Sequence, residues 1–238
     1  MTSSNWSSLA ADLTAALHPT APPIAITFSA APGVPAFDEP MPAPSPDGRT
    51  GRVPAGCVFW MKSLDTTFTT VAEDHGNCSV GSWTHGFIPL EEAATRGDVG
   101  ALMESGWVTM DMVPNIPFVK SKPEAITYGP LAETTVDPDV VLIRLTAKSL
   151  MVLSDALPGL RVEGKPQCHI VAAAKEEGAV VASVGCALSR VRTGMPSSDH
   201  TCAIPASRLA EVVEAVQRTA DTDAIVARYA AEDAARFA

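Results

Sequence analysis

Cys57, Cys78 and Cys186 each sit in a turn of small residues, so any fold that uses them together must gather three distant stretches of chain. Gly56 precedes Cys57, Asn77 precedes Cys78 with Gly81 close behind, and Gly185 precedes Cys186. Glycine lets the backbone turn sharply and bring amide N–H groups toward sulfur, which stabilises the thiolate that binds metals or attacks electrophiles. The chain has no Cys-x-x-Cys pair. That spacing argues against zinc ribbons, ferredoxin-type carriers and thioredoxin-like dithiols, all of which use closely spaced cysteines. One ligand per turn suits a metal-type site assembled by the fold from several loops.

If Cys57, Cys78 and Cys186 converge, they can hold an iron–sulfur cluster, with a cubane of the 4Fe–4S kind favoured, and leave one iron free of protein sulfur. Such an iron is a Lewis acid toward a hydroxyl or carboxylate, and zinc on three thiolates is the alternative. The function expected from this is a lyase or hydratase acting on a small polar metabolite. Two other classes stay open: a non-catalytic metal-, cluster- or haem-binding sensor, and a metal-free thiolate enzyme using Cys78 with a histidine base. Asp74 and His75 just before Cys78, and His85 just after it, are the candidate acid–base residues. Their structural alternative is a capping Asp74 and histidines bonded to backbone carbonyls. Arg190 and Arg192 are candidates to clamp an anionic substrate, or else they form a solvated, salt-bridged face. Trp83 is the candidate stacking surface for substrate, a role also open to Trp60 and Trp107, against the alternative that all three simply bury area. Cys168 opens a helical pattern and Cys202 sits in the apolar stretch Thr201 to Ile204, so both read as packing, with either available as an extra ligand.

Composition narrows the setting. With 27 acidic against 17 basic residues the net charge is -10, which repels a phosphate backbone and excludes nucleic acid as the expected partner. The opening residues carry no basic leader, and no apolar run approaches the roughly 20 residues of a membrane span. A cytoplasmic protein is expected, with no membrane partner and a homo-oligomer allowed. Five cysteines are too few and odd in number for a secreted disulfide framework. The length of 238 residues suits a single compact domain over residues 1–238.

The hydrophobic pattern predicts helices over 7–17, 79–88, 90–94, 99–104, 147–157, 168–177 and 207–219, with a further helix after Asp221. Strands are expected over 23–28, 66–71, 126–131, 140–145, 179–184 and 201–204. Residues 29–54 are too rich in proline for a ladder or a helix and predict a long surface loop, of a length that suits a lid. The fold class is therefore α+β, or α/β, with a mixed sheet carrying several helices.

At Pro22-Pro23-Ile24-Ala25-Ile26, Gly56-Cys57-Val58-Phe59-Trp60, Glu73-Asp74-His75-Gly76-Asn77-Cys78-Ser79-Val80-Gly81 and Gly185-Cys186-Ala187-Leu188-Ser189-Arg190, the chain resembles the family catalogued as domain of unknown function 169. The resemblance spans most of the chain and implies that Cys57, Cys78 and Cys186 form a set; it implies no activity. The proline-dense stretch before Cys57 and the residues from Pro196 to His200 depart from the family pattern.

Overall fold

In a computed structural model the chain is described over residues 6–237. The first five residues, on which the expectation of no basic leader falls, and Ala238 lie outside the described residues. A mixed seven-stranded sheet runs through the molecule in the order β2-β3-β1-β4-β7-β6-β5. Its strands are β1 (Ala21–Thr27), β2 (Phe68–Thr70), β3 (Ile126–Pro130), β4 (Val140–Leu145), β5 (Arg161–Glu163), β6 (Val181–Ser183) and β7 (His200–Pro205). Neighbours pair antiparallel except β5 and β6, which are parallel. A parallel pair needs a crossover, and the helix between those two strands supplies it. The α+β expectation therefore holds, with one βαβ unit at the sheet's edge.

The helices are α1 (Trp6–Leu17), α2 (Cys57–Lys62), α3 (Ser79–Thr84), α4 (Leu90–Ala94), α5 (Gly97–Glu104), α6 (Ala147–Ala156), α7 (His169–Glu177), α8 (Ala187–Thr193) and α9 (Leu209–Ala234). Side chains alternate across a strand, so β4 feeds two cores at once. Val141, Ile143 and Leu145 join α1, α6 and α9 on one face, while Val140 and Leu142 join α2 and α7 on the other. The same alternation separates the cysteines. Cys202, opposite Ile143 in the β4–β7 register, lies with the first core, whereas Cys57, Cys78 and Cys168 belong to the second.

Three expectations change. The C-terminal segment is one uninterrupted helix, α9, where the pattern suggests two, because Asp221 alone does not break the backbone ladder. The segment around Val58, expected only as a short hydrophobic piece, is α2, and helix α8 and strand β5 are additions to the expected elements. The proline-rich stretch lacks helix and strand as expected, but it is strapped to the body and does not hang free. Phe37 packs at 4.9 Å from both Phe59 and Phe68, and Asn77 Nδ2 donates to the carbonyls of Gly51 and Val53 at 2.8 and 3.1 Å. Among the described residues, no helix is long and apolar enough to cross a membrane.

Candidate metal centre

Each of four cysteines stands at the start of a different helix, and all four line one cavity. Cys57 is the first residue of α2, and Cys78, Cys168 and Cys186 immediately precede α3, α7 and α8. A helix start leaves backbone N–H groups without intrahelical partners, and sulfur can accept from them. The Ser189 amide donates to Cys186 Sγ at 3.3 Å, and the Ser189 hydroxyl donates to Cys57 Sγ at 3.3 Å. Gly81 approaches Cys78 so closely that an added Cβ would lie 3.4 Å from its sulfur. Asp98 holds this corner from α5, its carboxylate accepting the Ser79 amide at 3.0 Å and lying 3.4 Å from the Arg49 guanidinium.

Burial dominates the thiols' acidity. It pushes Cys57 up to about 12 against the bond from Ser189, raises Cys78 against the pull of Arg192, and raises Cys168 strongly. Without metal these three groups are protonated at neutral pH, and a metal that binds them must displace the protons. The cavity between them measures about 30 Å³, room for about two water molecules. Arg192, Gln167 and Trp107 complete its wall. Among the described residues, no three His, Cys, Asp or Glu side chains are grouped tightly enough to hold a single metal ion.

The structure thus brings together Cys57, Cys78, Cys186 and Arg192, adds Cys168 and Trp107, which the sequence offers as an extra ligand and a stacking surface only beside a packing role, and adds Gln167 and Ser189, which sequence reasoning does not assign to the site. Cys168 carries one signal, its position at the start of a helical pattern, where Cys78 also stands.

The remaining candidates lie behind or away from this wall. His75 is 1% exposed, wedged between Phe59 and Phe87 at 4.7 Å from each ring. The Thr70 hydroxyl donates to the Ile126 carbonyl at 3.1 Å, so at 3.0 Å it accepts the proton of His75 Nε2. That leaves His75 Nδ1 as an acceptor without a partner among the described residues, facing Gly56. The His85 Nδ1–H donates to the Gly81 carbonyl at 2.9 Å, and its Nε2 has no partner among the described residues. Burial holds His75 well below the usual imidazole range and lowers His85 to about 4. Asp74 accepts the Val71 amide at 2.8 Å and pairs with Arg52 at 2.8 Å, tying the proline-rich segment to the turn before Cys78. Arg190 spends its guanidinium on the carbonyls of Pro196, Val184 and Asp199 at 2.6, 2.9 and 2.8 Å. Trp83 stacks on Phe118 with ring centroids 5.8 Å apart, in a satellite core with Ala93 and Ile116, and does not line the thiol cavity.

The profile of the family described as uncharacterised ArCR, domain of unknown function 169, matches residues 12–215, and the chain belongs to that family. Neither curated proteins nor solved structures give a match to the chain.

Proposed function

We propose that this member of the domain of unknown function 169 family is a metalloprotein whose Cys57, Cys78 and Cys186 hold an iron–sulfur cluster with one open iron, and that it acts as a lyase or hydratase on a small polar metabolite. The observation that carries the reading is the convergence of these thiols from separate helix starts on one cavity. The donor set is soft, which suits iron–sulfur clusters and zinc better than harder ions. A single ion needs sulfurs close together, since each zinc–sulfur bond is about 2.3 Å. Among the described residues no such group is in place. Room for about two waters is less than a cluster needs, so loading requires the thiols to turn and the wall beside them to yield.

When bound, the cluster would supply a Lewis-acidic iron for a substrate oxygen. The chain's own residues do the rest. Arg192 brings positive charge to the thiol wall beside Cys78, favouring anionic ligands there. The Ser189 hydroxyl and amide fix the sulfurs of Cys57 and Cys186 in orientation. His75, with a free acceptor nitrogen against Gly56, is the histidine placed to take a proton if the wall moves. Burial works against the metal-free thiolate enzyme, because it keeps the thiols protonated.

Cys168 supports a second reading. A fourth thiolate would leave no iron open and would suit a sensor better than a lyase. Protein purified without oxygen should be brown and contain iron and acid-labile sulfide, and Cys78→Ala should lose both. Cys202→Ala, on the far side of the sheet, should keep them. Colourless, iron-free protein sinks the proposal, and loss of the colour in Cys168→Ala shifts the reading to the sensor.

A further inference from the structure

Beside the thiol cavity, sharing Cys57, Gln167 and Ser189 with it, lies a second chamber between α2, α8 and strands β1, β4 and β7. Its lining is mostly apolar, with Ile24, Met61, Leu64 and Leu142 on its walls. Four of its lining residues carry buried polar atoms that have no hydrogen-bond partner among the described residues: Trp60 Nε1, Arg144 Nε, Thr201 Oγ1 and both amide atoms of Gln167. Trp60, Gln167 and Thr201 are 3%, 1% and 1% exposed. Buried polar groups in native proteins are nearly always satisfied, and a mostly apolar pocket with a few convergent polar groups is the usual form of a small-ligand site.

We propose that this chamber binds the carboxylate of a small organic acid. Four of the five atoms are donors or can donate, and the indole N–H and the guanidinium N–H can do nothing else. The donors come from separate elements, α2 for Trp60, β4 for Arg144, β7 for Thr201 and the segment before α7 for Gln167. A single water offers two lone pairs and leaves two donors unmet, whereas a carboxylate offers about four acceptor sites. An ammonium group has no lone pair and would meet only Gln167 Oε1, and an alcohol oxygen, like a water, accepts from at most two of the donors. Other contacts hold the Arg144 guanidinium in place. Its Nη2 pairs with Asp199, which also accepts the Thr20 hydroxyl at 2.8 Å, and its Nη1 rests 3.4 Å from Met61 Sδ. As it stands the chamber measures about 10 Å³, space for about one water-sized group, so an acid enters by pushing back flexible side chains such as Met61 and Met195. The bound acid would lie against Cys57. The proposal does not depend on what the thiols hold.

The test is a titration of metal-free and of anaerobically purified protein with sodium acetate at constant ionic strength, read by tryptophan emission and by melting temperature. Sodium chloride and the neutral isostere acetamide serve as controls. Acetate should give a saturable response in both preparations, with chloride giving none and acetamide binding at least about tenfold more weakly. Thr201→Val, which keeps shape and removes one donor, and Trp60→Phe, read by melting temperature, should each weaken acetate about tenfold, the loss of one bond to a charged acceptor. Circular dichroism confirms that each variant is folded, and Gln167→Leu replaces either one that is not. Equal responses to acetate and acetamide, no saturable response, or acetate affinity unchanged in the folded variants would overturn the assignment.

Discussion

Replacing Gly56 by alanine should destabilise the protein through one identifiable contact. Gly56 has φ -58° and ψ -27°, a conformation any residue adopts, so the backbone raises no objection. The obstacle is His75. A Cβ on residue 56 would sit 2.9 Å from His75 Nδ1 and 3.4 Å from its Cε1. The imidazole cannot retreat easily, because Thr70 holds its Nε2 at 3.0 Å and Phe59 and Phe87 flank its ring. Overpacking of this kind costs about 1–3 kcal/mol, and the reduced freedom of alanine in the unfolded chain offsets about 0.5–1 kcal/mol. The net loss of up to about 2.5 kcal/mol corresponds to a fall of up to roughly 10 °C in melting temperature for a chain of this size. Urea unfolding should show it as a lower midpoint at unchanged slope. The decisive assay is a double-mutant cycle: in a His75→Ala background the clash is gone and Gly56→Ala should become neutral or stabilising, giving a coupling of about 1–3 kcal/mol. An equal effect in both backgrounds would refute the reasoning. Gly100→Ala is the control: nothing lies within 4 Å of its added Cβ inside α5. It should stabilise by about 0.5–1 kcal/mol.

Acid should weaken the fold through the buried histidines. His85 has a folded pKa of about 4 against an ordinary 6.5, so the unfolded chain binds the extra proton first. The stability is complete above about pH 6.5 and falls by about 3 kcal/mol as pH drops toward 4. His75 shifts in the same direction, and urea midpoints between pH 7 and 4 that stay level would contradict both. Arg190→Ala should cost about 0.5–1.5 kcal/mol by removing the bonds that tie Val184, Pro196 and Asp199 together through their carbonyls. Arg192→Ala should instead stay within about 0.5 kcal/mol and reduce iron retention. Matching urea midpoints for the two variants would erase the distinction drawn between them.

Much of the fold is legible in the sequence because its strongest signals are local. Val140 to Leu145 is apolar at nearly every position and becomes the buried centre of the sheet, and Gly178 ends α7 with the positive φ of 65° that its position after Glu177 suggests. The misses have physical causes. Strand β5 is only Arg161–Glu163, too short for periodicity, and exists because α7 returns the chain parallel to it. Helix α2 follows a glycine and is made largely of Cys, Val, Phe and Trp, residues whose intrinsic preference is not helical; burial of that face overrides propensity. At the site, the grouping of Cys57, Cys78 and Cys186 follows from their shared turn chemistry. The entry of Cys168 and Gln167 does not, since only the β5–α7–β6 crossover brings that helix start to the others. Asp74 and Arg190 illustrate the opposite case. Their charge suggests chemistry, and the fold commits them to backbone groups.

The short helix α2 links all these features, because one turn and a half of chain serves three surroundings at once. Gly56 admits His75, Cys57 lines the thiol cavity with the other cysteines, and Trp60, whose buried indole N–H has no partner among the described residues, lines the second chamber. Residues three apart on a helix lie on neighbouring faces, so Cys57 and Trp60 can both border that chamber while Cys57 also reaches the thiol cavity. The helix has six residues and cannot hold its place by its own hydrogen bonds. Phe59, fully buried among Phe37, Phe68 and Tyr128, anchors it. A displacement of α2 therefore reaches both cavities together. It follows that cluster loading, which must move Cys57, should alter acetate affinity in the second chamber, and by linkage acetate should alter metal retention to the same extent.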